Sequence, residues 1–259
     1  MIIKRDFYYS PTGKNRPLHI YLPDNYYETD ERYPVMYFFD GHNLFLNEDA
    51  TYGKSWGLKE FLESWGKSMI IVGIECGHDG EERLSEYLPY KVYGGYFSKF
   101  KPLGDATCQW IIEELKPVID EEFRTYHYRE CMAIGGSSMG GLMALYAAVH
   151  YNYWFSKAAC ISSAIGFCMP SLLNDMNQHY MNPDTRIYLS WGTKEAHGIE
   201  DVWSEDVSSN TYHNNKVVAN KIFSSHATAK MRCHIGGGHC EADWEQLVPE
   251  FMNFLWTEK

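Results

Sequence analysis

The feature that most limits how this chain can fold is Ile134-Gly135-Gly136-Ser137-Ser138-Met139-Gly140-Gly141, where an apolar run passes into helix-forming residues with almost no connecting segment. A strand that turns straight into a helix brings the two elements close together and holds one residue in a strained backbone conformation. Gly136 and Gly140 stand two places either side of Ser138, where small residues permit that approach. Ser137 fails the same pattern, because Met139 stands two residues after it. The flanks agree with a strand and a helix: Cys131-Met132-Ala133-Ile134 reads as buried strand, and Leu142 to Val149 is rich in good helix formers. A Gly-x-Ser-x-Gly pentapeptide arises by chance in roughly one chain in ten of this length, so the setting carries the weight. A serine on such a turn is exposed as a nucleophile; the plain alternative is a glycine-rich loop.

The rest of the chain alternates in the same way. Opening strands are expected at Ile2 to Tyr9 and Leu18 to Leu22, and buried strands at Tyr33 to Phe39 and Met69 to Ile74, with a short helix at Leu58 to Trp65 between the last two. Cys108, Ile112, Leu115, Ile119 and Phe123 recur at helical spacing, with Pro117 marking a kink or restart. After the Ser138 helix come strands at Ser156 to Ile161, Arg186 to Trp191 and Lys230 to Ile235, and helices at Ser171 to His179 and Asn214 to Phe223. A last helix carries the stripe Trp244, Leu247, Val248, Phe251 and Leu255. This pattern predicts one α/β domain over residues 1–259, a mostly parallel sheet with helices on both faces and right-handed crossovers. Ligands in such sheets bind beyond the carboxyl ends of the strands, where Ser138 sits.

Composition narrows the function classes. The formal charge of −11, from 34 acidic and 23 basic residues, opposes binding to phosphate backbones or anionic lipids, so neither nucleic acid nor membrane is an expected partner. The amino-terminal residues lack the apolar run of a signal peptide, and a cytoplasmic location is expected. Seven scattered cysteines without a Cys-x-x-Cys pair read as buried small hydrophobes in a reducing compartment. Cys233, His234, His239 and Cys240 cluster, but no second ligand pair stands at zinc-like spacing, and no metal is expected. Oligomeric state is left open, a homo-oligomer included.

A serine hydroxyl needs a base, usually a histidine held by a carboxylate. Among 11 histidines, His239 is best placed: Gly236-Gly237-Gly238 leaves the last strand, His239 follows, and the carboxyl-terminal helix starts at once. His234 lies within that strand, while His150, His179 and His226 fall near helix ends. For the acid, the strand ending at Trp191 runs into Gly192-Thr193-Lys194-Glu195, which favours Glu195; Glu200, Asp201 and Asp206 follow in the same loop and compete. The backbone amide of Met139 is one expected oxyanion donor, and Asp40-Gly41-His42-Asn43 supplies the other, His42 first and Asn43 second. An ordinary glycine turn is the alternative for that loop.

Taken together these residues resemble the putative-esterase (esterase D-like) family of α/β-hydrolases, which includes feruloyl and acetyl-xylan carbohydrate esterases, S-formylglutathione hydrolases, enterochelin esterases and mycolyltransferases. The resemblance runs through Tyr33-Pro34-Val35-Met36-Tyr37 into Asp40-Gly41, then Arg83 with Glu86-Tyr87 and Pro89, and Glu114-Leu115-Lys116-Pro117. It continues through Gly136 to Gly141, Gly192 to Glu195, and Gly238-His239-Cys240-Glu241-Ala242-Asp243-Trp244. The family often has His-Gly where this chain has Asp40-Gly41, which leaves a backbone oxyanion role intact, and varies around the acid turn and the final histidine.

The resemblance implies an ester or thioester hydrolase with Ser138, Glu195 and His239 as triad, working through an acyl-serine with no cofactor. The expected substrate is a small or aromatic acyl ester, with carbohydrate as one source of the alcohol. Glu86 to Phe100 contains Tyr87, Tyr90, Tyr93, Tyr96 and Phe97, and Ala196 to Tyr212 contains Trp203; these aromatic residues either shape a pocket or pack their own loops. A thioesterase or acyltransferase with the same triad is the rival among enzymes. An inactive hydrolase fold used for binding is the rival from another class.

Overall fold

The computed structural model describes residues 1–195 and 209–258. Its strands are β1 (Ile2–Tyr9), β2 (Lys14–Tyr21), β3 (Val35–Phe39), β4 (Ile70–Ile74), β5 (Met132–Ser137), β6 (Lys157–Ile161), β7 (Arg186–Gly192) and β8 (Thr228–His234). They form one sheet in the order β1-β2-β4-β3-β5-β6-β7-β8. β1 and β2 run antiparallel to their neighbours, and every pair from β4 through β8 is parallel. The expected mostly parallel α/β sheet is therefore present.

Side chains of β3 alternate between the two faces, as the pleat requires. Val35, Tyr37 and Phe39 join the core that contains Ile134, Leu142 and Leu145, while Met36 and Phe38 join the one that contains Tyr188, Trp244 and Phe251. Because both faces are covered, β3, β4 and β5 are buried at every position, and this is why they read as unbroken apolar runs.

The helices are α1 (Leu58–Ser64), α2 (Glu82–Glu86), α3 (Gly104–Trp110), α4 (Lys116–Glu122), α5 (Met139–His150), α6 (Met169–Gln178), α7 (Asn210–Ser224), α8 (Glu241–Glu245) and α9 (Val248–Trp256). None among the described residues is long and apolar enough to cross a membrane.

Pro117 lies in the first turn of α4, and a π-helical turn, Ile111–Leu115, joins α4 to α3. The proline has no amide to donate, and the widened turn carries the chain past it without breaking the core stripe.

Element boundaries move by up to four residues, as where α7 starts at Asn210 rather than Asn214, and two of the shifts have a clear physical reason. β2 starts at Lys14 rather than Leu18, since hairpin pairing of Tyr8 with Asn15 and Tyr9 with Lys14 recruits polar residues that periodicity leaves out. The last helix is two helices, α8 and α9, with Pro249 in the first turn of the second. Its stripe is nonetheless intact: Trp244, Leu247, Val248, Phe251 and Leu255 are all buried in one cluster.

The turn after β3 is pressed onto β4. A Cβ placed on Gly41 would stand 2.2 Å from the carbonyl carbon of Gly73, and one on Gly73 would stand 2.8 Å from the Gly41 Cα. Backbone meets backbone here, so neither side can yield by a rotamer change. Gly41→Ala is expected to cost about 1–3 kcal/mol of stability. The check is urea unfolding, with a lower midpoint at unchanged m-value.

Candidate active site

Ser138 sits between β5 and α5 with φ 57° and ψ −119°, a conformation costing of order 1–3 kcal/mol for a residue with a side chain. The surroundings hold it there. A Cβ on Gly136 would lie 2.6 Å from the carbonyl carbon of Gly140, so strand and helix touch backbone to backbone at the two glycine positions. The Ser138 amide donates to the Ile161 carbonyl at 3.0 Å, and the Ser138 carbonyl accepts from the amides of Ala164 at 3.0 Å and Leu142 at 3.1 Å. The end of β6 thus clamps the turn from the side. Met139 opens α5, where the first amides of a helix have no intrahelical acceptor and the helix dipole favours negative charge.

The turns carrying Glu195 and His239 are bonded to each other before their side chains meet. The Lys194 amide donates to the Gly237 carbonyl at 3.0 Å, and the Gly236 amide donates to the Thr193 hydroxyl at 2.9 Å. Only glycine fits at 192, because a Cβ there would stand 2.2 Å from the Gly237 carbonyl oxygen. His239 Nδ1 lies 3.4 Å from Glu195 Oε2. The other carboxylate oxygen accepts from the Ser162 hydroxyl at 2.5 Å and the Gly192 amide at 2.9 Å. Ser162 also accepts from the Trp244 indole N–H at 2.9 Å, and the Trp244 ring stands edge-on to the His239 imidazole at 5.1 Å. The competing acids Glu200, Asp201 and Asp206 lie outside the described residues, as does Trp203.

On the opposite wall, Asp40 has φ 57° and ψ 48°, and its carboxylate takes two bonds from Arg83, at 2.8 and 2.7 Å. The Asp40 amide donates to the Tyr87 hydroxyl at 3.1 Å, under the Arg83 guanidinium. Burial disfavours the Arg83 charge, but the Asp40 carboxylate outweighs it and raises the guanidinium pKa. The Asn43 amide is engaged by the Asp40 carbonyl at 3.0 Å, and the Asn43 side chain receives the Thr51 amide at 2.9 Å. Asn43, the second choice as oxyanion donor, is thereby committed to holding the loop.

Ser138, His239, His42, Arg83, Glu241 and Trp244 line a common cavity of about 330 Å³. His42 and His78 meet edge-on at 4.9 Å, and the buried His42 Nδ1 has no hydrogen-bond partner. Burial lowers the pKa of His42 and raises that of Glu241, favouring the neutral form of each. Glu75, behind this wall, would be raised by burial, but bonds from His19 at 2.6 Å and His78 at 2.8 Å hold it at about 2. His42, Glu75 and His78 each bring one ligand atom within 4.8 Å of the others.

None of Tyr87, Tyr90, Tyr93, Tyr96 or Phe97 lines the cavity. Tyr96, Phe97 and Phe100 pack on one another, and Phe97 stacks on Phe167 at 4.0 Å. Sequence reasoning gave no role to Ser162, Glu241 or His78. Ser162 carried a usable signal, since it follows β6 just as Ser138 follows β5.

Comparison with known proteins identifies the family and the fold. The family model described as "Putative esterase" matches residues 10–259. An uncharacterized protein, YbbA of Bacillus subtilis (strain 168), is 26% identical over 185 residues, covering 70% of each chain. Esterase Rv1288 of Mycobacterium tuberculosis (strain ATCC 25618 / H37Rv) is 32% identical over 155 residues, which is 59% of this chain but only 30% of that protein's length. The solved structure of an IroE-like serine hydrolase from Shewanella oneidensis superposes with a TM-score of 0.75 at 19% identity, covering 97% of this chain and 79% of that one. With a strand-elbow-helix at Ser138, and with the family match spanning nearly its whole length, this chain belongs to the esterase family of α/β-hydrolase fold proteins.

Proposed function

We propose that the chain is a serine carboxylic-ester hydrolase with Ser138 as nucleophile, His239 as base and Glu195 as the acid that orients it. One observation carries this reading: the strained Ser138 and His239 open onto the same cavity, and the imidazole's Nδ1 faces a carboxylate held from behind by Ser162 and Gly192. Glu195 then selects the tautomer that leaves Nε2 free to accept a proton, and stabilises the imidazolium once formed. His239 takes the Ser138 proton as the oxygen attacks the ester carbonyl. The amides of Met139 and His42 hold the oxyanion, and the alcohol leaves with the proton from His239. Water, deprotonated by the same imidazole, releases the acid from the acyl-serine.

The substrate side follows from the cavity. A volume of about 330 Å³ lies at the low end of ligand clefts and suits a small or single-ring acyl group. The histidine, arginine and carboxylate lining, with Tyr52 and Trp244, suits a polar, hydroxyl-bearing alcohol such as a sugar.

Ser138→Ala is expected to abolish fluorophosphonate labelling and lower p-nitrophenyl acetate turnover by about 10⁴-fold or more; retention of both would end the serine mechanism. Glu195→Gln should lower kcat by roughly 10³-fold or more, as in other triads whose acid is neutralised, with Asp201→Asn near wild type; the reverse pattern assigns the acid to Asp201. Asp40→Asn removes half of a partly buried ion pair beside the oxyanion turn and should cost about 2–3 kcal/mol, read as thermal and urea unfolding. Turnover of p-nitrophenyl acetate beside its thioester counterpart, with acyl transfer to added sugars measured in parallel, separates esterase from thioesterase and acyltransferase.

A further inference from the structure

At the opposite end of α5 from Ser138, we propose a binding site for a divalent transition-metal ion of the zinc class, formed by His150, Asp175 and His179. In the sequence His150 and His179 stand near helix ends, with no metal expected. The fold brings them together. His150 is the last residue of α5, while Asp175 lies in the last turn of α6 and His179 caps that helix, its amide donating to the Asp175 carbonyl at 3.1 Å. The Nδ1 atoms of His150 and His179 lie 3.0 and 2.8 Å from the same oxygen, Asp175 Oδ1, and the two rings are 4.1 Å apart. One ligand atom from each residue falls within 4.8 Å of the other two.

Two imidazoles and a carboxylate are a donor set that zinc favours. With metal–ligand bonds of about 2.0–2.1 Å, neighbouring ligands of a tetrahedral ion are roughly 3.3 Å apart, so the 3.0 and 2.8 Å separations of the two imidazole nitrogens from Asp175 Oδ1 need to widen by only a few tenths of an ångström. An outer shell is already built. The Tyr90 hydroxyl donates to Asp175 Oδ2 at 2.8 Å, leaving Oδ1 to the histidines, and Tyr146 stacks on the His150 ring at 5.0 Å. Asp175 is buried while both imidazoles are half-buried, so an ion can enter from solvent and keep a water as its fourth ligand.

Without an ion, one oxygen faces two ring nitrogens. With one, each neutral ring carries its proton on Nε2 and turns the Nδ1 lone pair to the metal. The grouping at His42 differs in place, because His42 and His78 line the cavity that Ser138 and His239 open onto. α5 is about 17 Å long at 1.5 Å per residue, so an ion at its far end ties α6 to α5 without touching the ester chemistry.

The test titrates the metal-free full chain with Co(II) and then Zn(II). One equivalent of Co(II) is expected to give visible d–d bands that Zn(II) abolishes, and Zn(II) at a hundred times its Kd should raise Tm by about 5 °C. His150→Ala and His179→Ala should each lose the bands and the shift, with p-nitrophenyl acetate turnover unchanged. Anomalous scattering from zinc-treated crystals of the unmutated protein places the ion even where a variant fails to fold. Absence of micromolar binding, full binding by the His150→Ala/His179→Ala double variant, or an ion located at His42, Glu75 and His78 overturns the proposal.

Discussion

The structure depends on one strained residue at the end of its central strand. Ser138 has left-handed φ because β5 passes into α5 with no loop, and the two elements are close enough that Gly136 and Gly140 touch through their backbones. Such a conformation persists only where its neighbours outweigh the strain. Here the end of β6 and the segment after it supply that weight, through the Ile161 carbonyl and the Ala164 amide. The same contact puts the serine above the sheet edge and the α5 amides beside it. The strained turn and the placing of the serine at the end of the sheet therefore rest on one set of backbone bonds.

The other site residues repeat this scheme on neighbouring strands. Ser162 follows β6, Glu195 follows β7 and His239 follows β8, so adjacent parallel strands deliver their carboxyl ends to one edge. Backbone contact between Gly192 and Gly237 brings the acid and histidine turns together, and Ser162 and Trp244 then tie the acid to the helix that follows the histidine. Across the cavity, Arg83 and Tyr87 hold Asp40, whose own left-handed backbone starts the turn of Gly41 to Asn43. Each side chain of the candidate site is thus positioned by backbone geometry first and by a polar neighbour second.

The buried strands were legible because both faces of the sheet are covered, which turns a strand into an unbroken apolar run of limited length. β2 was only half legible: Lys14 and Asn15 carry no strand signal and are ordered by pairing with Tyr9 and Tyr8. The break between α8 and α9 was missed because the apolar stripe continues across it, although Pro249 marks the restart. In the site, Ser138 and His239 were legible from glycine patterns peculiar to tight turns. Glu241 and His78 were not, since a lone glutamate or histidine looks the same in sequence whether it faces a cavity or solvent, and Ser162 is marked only by its place directly after β6.

The sequence by itself determined the elements, their alternation, the elbow and the order of serine, acid and histidine, because these depend on local periodicity and on backbone conformations that few residue types allow. Tertiary structure alone decided which polar groups share a cavity, that Asn43 is bound to its own loop, that Ser162 holds Glu195, and that His150 and His179 converge on Asp175. Those are distances between residues far apart in the chain. They are set by strand order and helix packing, and no local pattern encodes them.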